Sequence, residues 1–98
     1  MFILGVMGSP NKQGLTTRLL ARALEGARTA GAEVRQVDLI DHAIQPWPRS
    51  VHDRDPELDR LSGTADAIIL ASPVYYKDVT GLMRDYIDYL HNVPEVSR

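Results

Sequence analysis

The chain has no cysteine. That excludes disulfides, thiolate metal sites and cysteine-held iron–sulfur clusters from these 98 residues, and it fits a reducing compartment. No segment approaches the ~20 apolar residues that a membrane helix needs. The N-terminal apolar run is short and lacks a basic flank, so it is not a secretory signal. These features predict a cytoplasmic protein that neither spans nor coats a membrane. Charge of one sign is also missing: 11 basic residues face 13 acidic ones, so no basic field advertises nucleic acid. The three histidines, His42, His52 and His91, are scattered without metal-ligand spacing and read as surface residues. There is no repeat, no low-complexity tract and no linker. One small domain over residues 1–98 is expected. No nucleophile–base pair is legible.

What is present is a succession of short apolar runs and amphipathic stretches. Phe2 to Met7 is almost wholly apolar and ends at Gly-Ser-Pro, which suits a strand covered on both faces. Thr16 to Ala30 reads as a helix with Leu19, Leu20, Ala23, Leu24 and Ala27 on one stripe. Gly26 within it suggests close packing on a sheet, and Gly31 is a plausible C-cap. Glu33 to Leu39 mixes apolar and charged residues, as an edge strand does. Pro46, Trp47 and Pro48 break any periodicity, with Trp47 read as a packing anchor. A short helix follows, with Asp55 as N-cap, Pro56 first, and Leu58 and Leu61 buried. The acidic residues Asp53, Asp55, Glu57 and Asp59 fit a helix start better than a cation site. Ala67 to Ala71 is a third apolar strand. Val79 to Leu90 is a last helix, with Val79, Leu82, Met83, Tyr86, Ile87 and Leu90 as its stripe and Arg84 and Asp88 one turn apart.

The order predicts an α/β fold: a parallel sheet in the order 2-1-3 with helices on both faces. A ligand crevice belongs at the carboxyl ends of strands 1 and 3. Residues 8 to 17 (GSPNKQGLTT) and 72 to 78 would face each other there. In the first loop, backbone N–H groups and the helix dipole attract an anion. Ser9, Thr16 and Thr17 add hydroxyls, Asn11 an amide and Lys12 a charge, while Gly8 and Gly14 allow turns or close approach of backbone to ligand. A phosphate monoester fits that set. The spacing is neither the Walker pattern nor G-x-G-x-x-G. The plainer reading is a capped helix and a turn, which use the same residues. The second loop, Ser72-Pro73-Val74-Tyr75-Tyr76-Lys77, moves the balance, because planar ligands bind against such side chains and backbone.

GSPNKQGLTTRLL, ADAIILASPVYY and GLMRDYIDYL together resemble the flavodoxin-like NADPH-dependent FMN reductases, whose relatives include flavin-dependent NAD(P)H oxidoreductases and iron–sulfur flavoproteins. The resemblance runs from Phe2 to about Leu90 and implies a three-layer α/β/α domain. It implies that Ser9, Asn11, Leu15 (through its N–H), Thr16 and Thr17 hold the FMN phosphate, and that Pro73, Val74, Tyr75 and Tyr76 border the flavin. It implies FMN and NAD(P)H as cofactors, hydride transfer from the nicotinamide to the flavin, and a small-molecule electron acceptor. No side chain is assigned as a catalytic acid or base, and no metal site is expected. The iron–sulfur branch places cysteines where this chain has Ile44 to Pro48, so the cluster is not carried over. Family members continue with two more strands and further helices. The expectation is therefore an N-terminal half with strands 4 and 5 missing and the edge of strand 3 unpaired. A homo-oligomer or a completing partner chain would cover it. Two other readings stay open: a flavodoxin-like electron carrier, and an interaction fragment of a flavoprotein.

Overall fold

In the computed structural model, residues 1–9, 13–42, 55–73 and 80–90 are described. They form β1 (Phe2–Met7), α1 (Leu15–Thr29), β2 (Glu33–Asp38), a single 3₁₀ turn (Leu39–Asp41), α2 (Pro56–Thr64), β3 (Ala67–Ala71) and α3 (Gly81–Leu90). The three strands make one parallel sheet in the order β2-β1-β3. This is the flavodoxin-like arrangement expected from the sequence.

Period-two alternation in β1 builds the layers. Leu4 and Val6 point to one face and pack with Val37, Leu39, Leu58, Leu61, Met83, Tyr86 and Tyr89, beneath α2 and α3. Ile3 and Met7 point to the other face and pack with Leu20 and Leu24 of α1. The strand starts are pinned together: the Asp66 carboxylate accepts from Phe2 N–H at 2.7 Å, and Asp66 N–H donates to Phe2 carbonyl at 2.8 Å.

The helix ends obey local chemistry. Gly31 adopts φ +103° after α1, and its N–H reaches Arg28 carbonyl while Ala32 N–H reaches Ala27 carbonyl. That pair of bonds is a Schellman closure, which needs the left-handed residue glycine provides. Asp55 caps α2 by accepting from Leu58 N–H at 3.0 Å, with Pro56 as its first residue.

The structure corrects several expectations. Gly26 is exposed, and a Cβ built there meets nothing within 4 Å, so it does not serve close packing. The close approach is at Gly5 on β1, where a Cβ would sit 2.7 Å from Leu24 Cδ1 and 3.1 Å from Leu20 Cδ1. Leu19 is 61% exposed, because α1 rests on the sheet along Leu20 and Leu24 and has no helix beside it among the described residues. α1 starts at Leu15 rather than Thr16, and β2 ends at Asp38, one residue short of Leu39. In α3, Ile87 turns outward and Tyr89 takes the buried place. The Tyr89 hydroxyl donates to Asp55 carbonyl at 3.2 Å and to the Asp59 carboxylate. His42 is no surface residue: its side chain is 14% exposed and its Nδ1 lies 2.5 Å from Asp55 Oδ2. Val79, His52, His91, Asp53 and Trp47 with its flanking prolines lie outside the described residues.

Candidate functional site

The site is built where β1 and β3 end side by side. Met7 pairs with Ala71 in register, so residues 8–9 and 72–73 leave the sheet together at its carboxyl end. Gly8 N–H continues the ladder one step, donating to Ala71 carbonyl at 2.8 Å. Ser9 follows, buried to 4% exposure. Ser72 and Pro73 are half-buried beside it.

α1 opens onto the same end. Leu15 is its first residue and is exposed, and Thr16 and Thr17 are half-buried in its first turn. Its N-cap is Gly14, in extended backbone with φ −83° and ψ −178°, which has no side chain with which to cap. No acidic residue occupies the first turn. α1 thus lacks the side-chain acceptor that Asp55 provides for α2, and its positive end faces the crevice. A helix N-terminus of this kind suits an anion. Of the residues assigned to the phosphate, the structure gathers Ser9, Leu15, Thr16 and Thr17 near this end. Asn11 and the neighbouring Lys12 lie outside the described residues. Of those assigned to the ring, Pro73 stands at the end of β3, and Val74, Tyr75 and Tyr76 lie outside the described residues.

A residue that the sequence reading passed over joins the two loops. Thr80 is buried and caps α3, its hydroxyl accepting from Met83 N–H at 3.2 Å. The same hydroxyl donates to Gly8 carbonyl at 2.6 Å, and Thr80 N–H donates to Ser72 Oγ at 2.9 Å. Ser72 in turn donates to Pro73 carbonyl at 2.8 Å. Gly8 makes this possible. A Cβ there would sit 3.0 Å from Met83 Cβ and 3.2 Å from Thr80 Oγ1, so the space belongs to α3 and not to a ligand. The available signal was a threonine directly before a helical run, the usual N-cap cue, hidden because the apolar Val79 extends the stripe by one residue.

Beneath the site the α2–α3 layer is held by polar bonds. Tyr86 hydroxyl and Ser62 Oγ are 2.7 Å apart and buried. Burial pushes the Tyr86 phenol up from its ordinary value, only partly offset by the Ser62 bond. Burial also pushes the Asp55 carboxyl up. The His42 ring and the Leu58 and Glu57 N–H groups outweigh that and hold it below the usual carboxylate range. Among the described residues no helix is long and apolar enough to cross a membrane.

Comparison with known proteins supplies the context. A family model described as NADPH-dependent FMN reductase matches residues 1–96. An iron–sulfur flavoprotein of Archaeoglobus fulgidus is 36% identical in an alignment 98 positions long that covers 90% of this chain and 44% of that protein. A flavone reductase structure superposes with a TM-score of 0.74 at 32% identity, over 92% of this chain and 30% of its own. The structure of an NADH:FMN oxidoreductase superposes with a TM-score of 0.74 at 24% identity, over 89% of this chain and 48% of its own, and supports the fold. The chain spans about half the length of the curated relatives it matches, 44% and 51% of two iron–sulfur flavoproteins.

Proposed function

Because the chain belongs to the NADPH-dependent FMN reductase family, we propose that it forms the FMN-binding part of an NAD(P)H-dependent flavin oxidoreductase. The observation that carries this reading is the side-by-side exit of two loops at the carboxyl ends of β1 and β3, one of them leading into a helix whose N-cap has no side chain. Ser9, Asn11, Thr16, Thr17 and the Leu15 N–H hold the phosphate. Pro73, Val74, Tyr75 and Tyr76 border the ring. The fit is chemical: a dianionic phosphate meets N–H and hydroxyl donors at a helix N-terminus, and a planar ring meets proline and aromatic side chains. The chemistry supplied at such a site is hydride acceptance from a nicotinamide, which is thereby oxidised, with the electrons going on to a small acceptor. The chain's own part is to bind, orient and screen from water. These 98 residues contain no cysteine, so the cluster in the relatives' names does not pass to them.

The test is a titration of the purified chain with FMN, read as quenching of flavin fluorescence, followed by NAD(P)H oxidation at 340 nm. Saturable quenching with turnover supports the reading. Protein that is folded, leaves FMN fluorescence unchanged and does not oxidise NAD(P)H contradicts it.

A further inference from the structure

We propose that Thr80 is a positioning residue that fixes the distance between the two loops, and so sets how strongly the site prefers a phosphorylated flavin to an unphosphorylated one. The inference rests on the flavin reading above and adds to it a residue outside both loops.

Besides accepting from Arg84 N–H through its carbonyl, Thr80 makes three bonds in three directions. Its hydroxyl gives its one proton to Gly8 carbonyl at 2.6 Å, at the root of the phosphate loop. The same oxygen accepts from Met83 N–H at 3.2 Å, in the first turn of α3. Its backbone N–H goes to Ser72 Oγ at 2.9 Å, at the root of the ring loop, and Ser72 passes its own proton to Pro73 carbonyl at 2.8 Å. A second, longer approach, 3.4 Å between the Ser72 and Thr80 hydroxyls, closes the triangle. Thr80 itself is buried, at 3% exposure, and its hydroxyl bonds to Gly8 and Met83 are buried with it, while those through Ser72 are partly so. Its partners belong to β1's exit, β3's exit and α3, three segments separated in sequence. Buried polar groups tied in this way cost free energy when one partner is removed, so the arrangement is rigid.

Rigidity here has a chemical consequence. FMN carries its phosphate at one end and its ring at the other. Tying Gly8 to Ser72 holds the roots of the two loops together, so that a ligand engaging both loops makes its second contact at high effective concentration. Loosening the link lowers that advantage without altering either half-site. Riboflavin, which lacks the phosphate, engages the ring half alone and is little affected by the link.

The variants are Thr80→Val, which keeps the shape and removes the hydroxyl, and Thr80→Ser, which restores it. Tyr86→Phe is the control for general destabilisation, since the Tyr86 hydroxyl bonds Ser62 of α2. The FMN and riboflavin dissociation constants of the full chain are measured for each. The expected result is a roughly five- to tenfold loss of FMN affinity in Thr80→Val, about the worth of one buried hydrogen bond. Riboflavin affinity stays near wild type, Thr80→Ser recovers the preference, and Tyr86→Phe leaves it unchanged. Equal weakening of both flavins in Thr80→Val, or an unchanged ratio, overturns the proposal. A wild-type chain that binds neither flavin overturns the flavin reading instead. Amide exchange in the ligand-free chain then decides the link. Faster exchange at Gly8 and Met83 in Thr80→Val but not in Thr80→Ser supports it, and unchanged exchange removes it.

Discussion

At the scale of single residues, Gly5 and Gly26 sit in opposite surroundings. A methyl group on Gly5 would press within 2.7 Å of Leu24 Cδ1, under a packed helix, whereas one on Gly26 would stand in open solvent. Gly26→Ala should therefore stabilise the protein by up to about 1 kcal/mol, the helix-propensity difference, and Gly5→Ala should destabilise it by about 1–3 kcal/mol through overpacking. Urea unfolding measures both, and two changes of the same sign would refute the packing described. From the sequence, the glycine inside the helix looked like the close-packed one. A single string of residues does not say whether a helix turns its glycine toward the sheet, and Leu20 and Leu24 made that choice. Asp55 is the second residue with a measurable signature. Its folded-state carboxyl is held below the usual range by His42, Leu58 and Glu57 against the upward push of burial. A depressed carboxylate contributes stability that is fully present above its unfolded value, about pH 3.9, and is lost as pH falls through the folded value. Wild type should lose stability more steeply than Asp55→Asn on acidification below about pH 4. Parallel curves would show that the Asp55 carboxylate carries no charge-dependent stability.

Secondary-structure elements were legible where both faces or one clean stripe decide the pattern. β1 and β3 carry the boundaries read from their apolar runs, and α2 carries its Asp55 cap, its Pro56 and its buried Leu58 and Leu61. α3 was harder. Its apolar stripe admits either Ile87 or Tyr89 on the inner face, and Tyr89 is the buried one, its hydroxyl bonded to the carbonyl of Asp55, the N-cap of α2, and to Asp59 in its first turn. Polar partners of this kind are invisible to hydrophobic periodicity. The same seam contains the buried Tyr86–Ser62 bond, so Tyr86→Phe should cost about 1–3 kcal/mol by leaving Ser62 unsatisfied, and adding Ser62→Ala should recover much of that loss. A double-mutant cycle in urea tests it, and strictly additive effects would mean the two hydroxyls do not bond.

At the scale of the whole molecule, β3 forms an edge of the sheet among the described residues. β3 pairs only with β1 among the described residues, Leu70 on it is 45% exposed, and Leu15 and Leu19 stand out from one flank of α1. An apolar strand at an edge invites association, and a lysine there opposes it. We predict that copies of the chain pair along this edge, so that Leu70→Lys reduces self-association in light scattering, and scattering that is the same for both proteins would contradict it. The candidate site was legible in outline because two Ser-Pro strand exits announce themselves in sequence. The link between them was not, since Thr80 joins residues far apart in the chain, 72 positions in the case of Gly8. Under the proposed function, these two exits form one FMN site. Amide chemical-shift mapping of the isotope-labelled chain with FMN tests it most directly. Shifts should concentrate at residues 13–17 and 72–73 and at Gly8 and Ser9, with riboflavin moving the second loop but sparing the first turn of α1. Shifts confined to one loop, or centred on the opposite end of the sheet around Phe2, Glu33 and Arg60, would contradict it.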